Sequence, residues 1–420
     1  MPSLSKSYGV VIIGGGMVGA SLACLLAETL RDESVALIES QPLDFSSAQT
    51  QSDSVKYLPS FDARSTALSR SSIKIFQRLD IWSKLSQRST AIKRVHISDR
   101  RHIGGSVIDG RDYIDSDMSS VGAVVENATL GAVLLQRLEY CQKHFSNLTC
   151  IAPARVERLQ ANKQGYKLQL VAANESRILQ ASLCIICDGA QSSLRASLGI
   201  EADIFDYQQR ALVANVELSE SHQGIAYERF TAKGPMALLP LGEASDAKMA
   251  ALVWTLAHTE ADEISVLSDA DFLQRLQQHF GTRLGQFLRV GRRHDYPLQL
   301  ITAREQVRSH LVLMGNAAHF LHPVAGQGFN LALRDCDALC HVLKQGKRAG
   351  ETLGSLSVLQ QYLQRQNFDQ QATIQLSDNM VKLFSTSALP QTILRALGFV
   401  GLELLPPAKK YLAQQAMGVG

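Results

Sequence analysis

The N-terminal forty residues constrain the fold more than any other part of the chain. Residues 9–13, GVVII, predict a short buried strand, and residues 34–39, SVALIE, predict a second one. Between them lies an apolar helical segment that begins with a glycine turn, Gly14-x-Gly16-x-x-Gly19. A strand, a glycine turn, a helix and a second strand within about thirty residues form a β-α-β unit. The chain is therefore predicted to be an α/β protein whose first domain is Rossmann-like.

The glycines of this turn and the acidic residue after it have separate roles in the predicted binding of a dinucleotide. Gly14 permits the tight turn, Gly16 lets the backbone approach a pyrophosphate, and Gly19 lets the helix pack on the strand. The helix N-terminus supplies free N–H groups and the positive end of its dipole. Glu39 lies twenty residues beyond Gly19 and can accept hydrogen bonds from ribose hydroxyls. Because a carboxylate there disfavours a 2′-phosphate, the pattern predicts FAD or NAD.

A second glycine-rich loop distinguishes between these two cofactors. Residues 310–315, HLVLMG, predict a buried strand, and residues 323–328, PVAGQG, form a loop that opens onto a helix. An NAD-dependent dehydrogenase needs no second loop about three hundred residues after the first. In a flavoprotein, Gly326 and Gly328 would let backbone N–H groups approach the isoalloxazine, and the helix dipole would stabilise the reduced, anionic flavin. The sequence therefore favours FAD.

The composition is that of a globular protein with two or three domains. The chain has 420 residues, of which 45% are hydrophobic and 19% charged, and its net charge is +3. This balance gives no electrostatic case for nucleic-acid binding. No apolar run reaches the ~18 residues that a membrane span needs, and the N-terminus lacks the pattern of a signal peptide. We therefore expect a cytoplasmic protein.

The seven cysteines predict neither a disulfide framework nor a metal site. Cys184 and Cys187 lie in a strand pattern, where positions three apart point to opposite faces, so both are expected in the core. Cys336 and Cys340 share a helix face, but no second pair of ligands accompanies them.

The order of strand and helix patterns predicts a discontinuous FAD-binding domain, an inserted and mainly β substrate domain, and a helical C-terminal region. The predicted boundaries are 1–90, 123–200 and 286–345 for the FAD-binding domain, 91–122 and 201–285 for the substrate domain, and 346–420 for the C-terminal region. Within this division, residues 65–85 and 268–289 have the spacing of apolar residues that is typical of helices.

Three motifs, in order along the chain, resemble those of the class A flavoprotein aromatic hydroxylases. The first is the glycine turn with Glu39, and the second is CDGAQSSLR, which contains Asp188 and Gly189. The third is Gly315-Asn316-Ala-Ala-His, followed by Pro323, where the family usually has Gly-Asp-Ala-Ala-His. In the family this Asp holds a ribityl hydroxyl. Asn316 keeps a carbonyl acceptor and loses the charge, so the resemblance implies that flavin binding survives.

Within this family, the chain most resembles the hydroxylases of ubiquinone biosynthesis. Among those, it resembles the 2-polyprenyl-6-methoxyphenol hydroxylases. The resemblance rests on residues 61–69, FDARSTALS, 226–241, AYERFTAKGPMALLPL, 295–300, DYPLQL, and 321–335, LHPVAGQGFNLALRD, and extends over nearly the whole chain. It implies that the enzyme inserts one oxygen atom from O2 into the ring of a polyprenylated phenol, through a flavin hydroperoxide. It also implies NADPH or NADH as the reductant, without a second dinucleotide fingerprint in the sequence.

The same resemblance implies further site residues. Arg64 would lie beside the flavin, with a surface salt bridge as the alternative. Contacts on the isoalloxazine side are assigned to Gly326, Gln327, Gly328 and Asn330, with a helix cap as the alternative. The inserted sheet faces the flavin in this fold, which assigns to the substrate pocket Tyr227, Arg229, Phe230 and Trp254, with core packing favoured for the last two. His319 is expected to be structural, His322 is a candidate catalytic residue, and no substrate-activating base is assigned.

The polyprenyl tail of such a substrate requires a wide apolar opening. Residues 380–405 are predicted to form a groove for the tail or a surface that touches a membrane, with a packed amphipathic helix as the alternative. Peripheral membrane contact and a complex with other ubiquinone-biosynthesis proteins are expected. Three rival functions stay open: a sister hydroxylase acting at another ring carbon, a flavin-dependent isoprenoid reductase, and a non-catalytic prenyl-lipid binding subunit.

Overall fold

The N-terminal β-α-β unit forms as predicted. The structure, a computed structural model, describes residues 6–45, 64–99, 105–113, 120–173, 175–231, 234–242, 247–322 and 326–385. β1 (Lys6–Ile13) pairs in parallel with β2 (Val35–Ile38), and α1 (Met17–Thr29) connects the two strands. Residues 10–13 are all buried because a parallel strand in the middle of a sheet is covered on both faces.

The first sheet has eight strands and places several loops at one edge. Besides β1 and β2, its strands are β8 (Leu148–Ile151), β9 (Ala154–Asn162), β10 (Gly165–Ala172), β11 (Glu175–Ile186), β18 (Val307–Arg308) and β19 (Leu311–Leu313). The order is β18-β19-β11-β1-β2-β8, with β10 on β11 and β9 on β10. Because β1, β2, β11 and β19 run parallel, their carboxyl ends meet at one edge, where the loops after them can form a ligand site.

Both faces of the first sheet are covered. On one face the core comes from α1, α4 (Asn127–His144) and α8 (Gln327–Arg348). On the other face it comes from β9, β10 and the short helix α5 (Ser193–Ser197). Cys184 lies in the second of these cores and Cys187 packs against the first, which confirms that the two side chains point to opposite faces.

The second sheet has nine strands. Its strands are β5 (Arg94–Asp99), β6 (Gly105–Asp109), β12 (Ala202–Leu218), β13 (Ile225–Thr231), β14 (Gly234–Leu241), β15 (Met249–Ala257), β16 (Phe287–Val290), β17 (His294–Ala303) and β20 (His319–Phe320). α6 (His258–Ser265) and α7 (Asp269–Phe280) pack against one face. The other face is turned toward a cavity that also reaches the loops of the first sheet. The mixed α/β fold is thereby confirmed.

The remaining elements connect these two layers. β3 (Ser65–Ser69), β4 (Ser89–Ile92) and β7 (Gly122–Glu126) form a small third sheet in the order β3-β7-β4. α2 (Arg70–Arg78) and α3 (Trp82–Ser86) follow β3, and short 3-10 helices cover Gly110–Tyr113 and Gly315–Ala317. α9 (Leu356–Ser385) packs against α8 and reaches β13 and β14. Among the helices in the described ranges, none is long and apolar enough to cross a membrane.

Two helix predictions are wrong in part. Residues 65–69 form β3, which pairs with β7, and the helix begins only at Arg70 because the Ser69 hydroxyl caps it by accepting from the Ser72 N–H. In the region 268–289, α7 ends at Gly281, whose φ is 91°, and the chain then returns as β16 along β12. In both regions the pairing of distant strands overrides the local helical spacing.

The division into domains stays a prediction. β16 and β17 pair with β12, so residues 287–303 belong to the second sheet, whereas the sequence pattern assigned them to the FAD-binding domain. Most of the predicted tail groove, from residue 386 onward, lies outside the described residues.

Candidate active site

A single cavity of about 800 Å³ lies between the loop edge of the first sheet and the open face of the second. It begins at the glycine turn after β1 and passes the end of β2. It then follows the loops after β11 and β19 to the N-terminus of α8, and ends against the strands of the second sheet. The loops of two separated glycine motifs therefore border one continuous space.

The glycine turn forms the start of this cavity. Gly14 has a φ of 105°, and a Cβ atom there would lie 2.5 Å from the carbonyl oxygen of Cys187. A Cβ on Gly19 would lie 1.9 Å from the carbonyl oxygen of Gly14, which confirms the predicted close packing of helix on turn. Gly16 is the N-cap of α1, and no side chain caps the helix. The first N–H groups of α1 are therefore open to an anionic ligand.

Glu39 directly follows β2 and lies beside this turn. Its Oε2 accepts a hydrogen bond of 2.6 Å from the Gly15 N–H. Its Oε1 accepts from the Ser40 hydroxyl at 2.9 Å and from the Gln41 N–H at 2.8 Å. These bonds fix the carboxylate at the cavity wall, where Oε2 can accept a further hydrogen bond from a ribose hydroxyl.

The loop after β11 is tied to the loop after β19. Asp188 and Gly189 line the cavity as predicted, and burial raises the pKa of the Asp188 carboxyl while a hydrogen bond from Ser192 opposes the shift. Arg195 is buried and donates to the carbonyl oxygens of Ala317, at 2.8 Å, and Ala190, at 3.1 Å. Its guanidinium therefore holds the two motif loops at a fixed separation.

The third motif turns at Gly315, which has a φ of 62° and is buried. The next residue, Asn316, is exposed and lines the cavity, as a contact to a ribityl chain requires. Pro323 lies outside the described residues, so its assignment stays a prediction.

The N-terminus of α8 points toward the middle of the cavity. Gly326 is its N-cap, in the left-handed conformation with a φ of 61°, a backbone geometry that side chains rarely adopt. Gln327 and Gly328 also line the cavity, and the first turn of the helix contains no acidic residue. The positive end of a long helix dipole is thus available to a ligand with negative charge.

Asn330 holds this helix terminus in place. Its Nδ2 donates to the carbonyl oxygens of Ala67, at 2.8 Å, and Gly326, at 2.9 Å. Its Oδ1 accepts from the Ser69 N–H at 2.8 Å and from the Ser72 hydroxyl at 2.7 Å. Both donors and both acceptor sites of the amide are occupied within the protein. The polar atoms of Asn330 therefore position the loop, although the residue borders the cavity as predicted.

Arg64 lies at the cavity wall rather than on the outer surface. Its guanidinium stacks over the ring of Tyr296, 4.6 Å from the ring centroid, and its carbonyl oxygen accepts from the Asn127 N–H. This location fits the predicted position beside a flavin.

The two histidines of the third motif have different environments. His319 does not border the cavity; its Nε2 lies 2.9 Å from Oδ2 of Asp335, whose Oδ1 accepts from Gln366 and Gln370. Burial lowers the pKa of His319 to about 4 and raises that of Asp335 to about 7. His322 does line the cavity, edge-on to the ring of Tyr207, and burial lowers its pKa to about 3. Its imidazole is therefore neutral at physiological pH.

The four residues that the sequence assigned to the substrate pocket do not line the cavity, and for Phe230 and Trp254 this agrees with the core packing that the sequence favoured. Tyr227 and Trp254 belong to the core shared with α7, where Tyr227 meets the ring of Phe280 edge-on. Arg229 lies over the same Phe280 ring, on the side away from the cavity. Phe230 is fully buried in the core formed with β4, β5 and β6.

The residues that do face the cavity from the second sheet were missed. Successive side chains of a strand point to opposite faces, so Ala226 and Glu228, on either side of Tyr227, face the cavity, whereas Phe230 shares their face of β13 but does not line the cavity. In β5, β6 and β12 to β15, the side chains that line the cavity are aliphatic except for Glu228, and they are Val95, Ile97, Ile108, Ala211, Val213, Ala226, Ala237, Leu239, Ala251 and Val253. They form an apolar wall opposite the N-terminus of α8, which suits an aromatic ring with an alkyl tail.

Comparisons with known proteins agree with this geometry. The chain matches the FAD binding domain family over residues 7–365. It is 32% identical to a ubiquinone hydroxylase of Rhodospirillum rubrum, over 99% of this chain and 91% of that relative. It is 29% identical to the 3-demethoxyubiquinol 3-hydroxylase of Escherichia coli, over 98% of both chains. The crystal structure of p-nitrophenol 4-monooxygenase from Pseudomonas putida has a TM-score of 0.75 at 17% identity, over 99% of both chains, and this likeness supports the fold alone.

Proposed function

The chain belongs to the FAD binding domain family, as an FAD-dependent monooxygenase related to the ubiquinone hydroxylases, and from this premise we propose that it hydroxylates the ring of a polyprenylated phenol. The proposed substrate is 2-polyprenyl-6-methoxyphenol. O2 is the co-substrate, and NADPH or NADH is the reductant.

The residues at the cavity fit FAD. The turn at Gly14–Gly16 and the uncapped N-terminus of α1 would hold the pyrophosphate, and the Glu39 carboxylate would accept from the ribose. Asp188 and Asn316 border the middle of the cavity, where the ribityl chain would lie. When bound, FAD supplies the redox chemistry, by taking electrons from a nicotinamide and passing one atom of O2 to the substrate ring.

The protein's own contribution is to place the reacting groups and to exclude water. The N-terminus of α8 would offer backbone N–H groups and a positive dipole end to the bound flavin, and Asn330 keeps that terminus in position. The aliphatic wall of the second sheet closes the opposite side and keeps water from the reaction. Both effects require the substrate ring to lie between α8 and the second sheet.

The single observation that carries the proposal is the continuity of the cavity from the first glycine turn to the aliphatic wall. A protein that bound only a dinucleotide for structural reasons would not need an apolar space beyond the N-terminus of α8. The names of the relatives support ubiquinone biosynthesis as the pathway. The Escherichia coli relative is named for another substrate, a demethoxyubiquinol, which favours the sister hydroxylase as the second candidate.

The lipid tail of the substrate underlies the remaining proposals. A polyprenylphenol partitions into membranes, so we place the enzyme in the cytoplasm with peripheral membrane contact, and in a complex with other proteins of ubiquinone biosynthesis. These statements rest on the chemistry of the substrate.

The test is mass spectrometry of quinone intermediates in a strain that lacks this chain, with and without the restored gene. The proposal predicts that 2-polyprenyl-6-methoxyphenol accumulates in the deletion strain and disappears on complementation. Accumulation of a more highly substituted intermediate would identify the sister hydroxylase instead. Product formation without O2 would indicate an isoprenoid reductase, and a purified chain without flavin absorbance, even after reconstitution, would indicate a non-catalytic lipid-binding subunit.

A further inference from the structure

Glu228 is an acidic residue in the aliphatic wall of the cavity. It lies in the middle of β13. The protein encloses its side chain, and the part of the side chain that stays accessible faces the cavity. Its cross-strand neighbours are Ile97 on β5 and Ala237 on β14, and Val253 on β15 follows Ala237 in the same row. A carboxyl group in such a row is unfavourable unless something in the cavity satisfies it.

The surroundings of Glu228 provide no compensating charge among the described residues. His96 and Tyr227 lie on the opposite face of the sheet, with their rings 5.6 Å apart. α9 contributes Leu376 and Met380 to the cavity, and its Asp378 accepts a hydrogen bond from the Tyr207 hydroxyl. The titratable side chains elsewhere on the cavity wall are Glu39, Arg64, Arg155, Cys187, Asp188, Tyr296 and His322. Burial is the cause that raises the pKa of Glu228 to about 8, and none of these groups offsets it.

We propose that the Glu228 carboxylate binds the ring hydroxyl of the phenol substrate and removes its proton. This inference rests on the proposed function and names the substrate-activating base that the sequence did not reveal. In the step, the phenol O–H bond breaks and a new O–H bond forms on the carboxylate, so negative charge passes from Glu228 to the phenol oxygen. No electrons are transferred between the groups, and the ring becomes more electron-rich at the carbons ortho and para to that oxygen.

The position of Glu228 suits this task in two ways. The phenol hydroxyl supplies a hydrogen-bond donor that no described side chain gives the Glu228 carboxylate, so binding removes an unfavourable interaction and favours a ring hydroxyl over an ether. Burial also brings the pKa of the Glu228 carboxyl closer to the pKa of a phenol, which is ordinarily about 10. A general base works best when its own pKa is near that of the group it deprotonates. The small side chain of Ala237 next to Glu228 leaves room for the ring.

The experiment compares FAD-loaded wild-type protein with Glu228→Gln, using 2-methoxy-6-prenylphenol as the probe. Glutamine keeps the shape of the side chain and removes its ability to take a proton. We expect the rate of probe hydroxylation to fall at least about 100-fold, with flavin content unchanged. The wild-type rate should rise with pH through about 8, the Glu228→Asp variant should keep this limb, and Glu228→Gln should lose it.

The matched control is Tyr227→Phe, which removes a polar atom from the adjacent position on the opposite face of β13. Its rate and pH profile should equal those of the wild type. Hydroxylation by Glu228→Gln within threefold of the wild-type rate, with the same pH profile, would overturn the inference about Glu228.

A binding measurement separates this inference from the proposed function. The affinities of the probe and of its O-methyl ether are compared by the change in flavin absorbance, for wild type and for Glu228→Gln. Wild type should prefer the phenol by at least tenfold near pH 8.5, and the variant should lose this preference. If the wild type hydroxylates no phenol, the proposed function fails, and the binding comparison alone then decides for or against the phenol contact at Glu228.

Discussion

Replacing Glu228 by glutamine should change how the free energy of unfolding depends on pH. In the folded protein, burial raises the pKa of this carboxyl from 4.5 to about 8. Each pKa unit by which the folded and unfolded states differ corresponds to about 1.4 kcal/mol. Ionisation of Glu228 therefore destabilises the folded state by at most about 5 kcal/mol. The glutamine variant has no such titration, and the difference between the two proteins isolates the contribution of this one group.

The sign follows from the two states. Below about pH 4.5 both the folded and the unfolded chain carry a protonated Glu228, so the group has no effect on the free energy of unfolding. Between about pH 4.5 and about pH 8 the unfolded chain releases this proton and the folded chain keeps it. The wild type therefore loses up to about 1.4 kcal/mol per pH unit relative to the variant, and above about pH 8 the difference is constant.

The assay is urea denaturation of wild type and Glu228→Gln at about pH 5.5 and about pH 7.5, at one ionic strength. The relative stability of the wild type should fall by about 2 to 3 kcal/mol between these two conditions. Glu157→Gln is the control, because Glu157 is exposed on β9, and it should track the wild type. Parallel behaviour of wild type and Glu228→Gln, within about 0.5 kcal/mol, would refute the claim that this carboxyl is buried without a compensating charge.

Three further predictions concern the cofactor site. Gly16→Val should abolish FAD retention in a folded protein, because the φ of −64° at Gly16 admits a side chain that would block the pyrophosphate; normal flavin content in the purified variant would contradict this. Glu39→Ala should weaken FAD binding by about 1 to 3 kcal/mol through unpaired ribose hydroxyls, and an unchanged flavin dissociation constant would argue against the ribose contact. Asn330→Ala should lower stability by about 2 to 4 kcal/mol, measured by urea denaturation, because it leaves the buried Ser69 N–H and the Ser72 hydroxyl without their acceptor; a loss below about 0.5 kcal/mol would contradict the positioning role.

The cofactor end of the site could be predicted because its signals are local in sequence. Gly14 is needed for a turn and Gly19 for a helix contact, and the two lie within six residues. Glu39 directly follows the next strand. The sequence pattern therefore specified both the fold and the chemistry of this region. The contribution of Asn330 could not be foreseen in the same way, because its partners lie about 260 residues earlier in the chain.

The substrate end could not be predicted because β13 is covered on both faces. Its sequence, IAYERFT, places an aromatic residue on each side, and helices cover one face while the cavity covers the other. Without a polar face, the alternation of side chains cannot show which side meets the ligand. The assignment therefore chose Tyr227 and missed Glu228, its immediate neighbour. Only the register of β13 against β5 and β14 resolves this choice.

The central claim is that one continuous cavity brings reduced FAD, O2 and a phenol ring together. The most direct test is to incubate the FAD-loaded protein with 2-polyprenyl-6-methoxyphenol and NADPH or NADH under ¹⁸O2, and to analyse the product by mass spectrometry. The account predicts a hydroxylated ring that contains one ¹⁸O atom, in an amount that depends on the flavin content. A product without the label, or a label that comes only from H2¹⁸O, would contradict it.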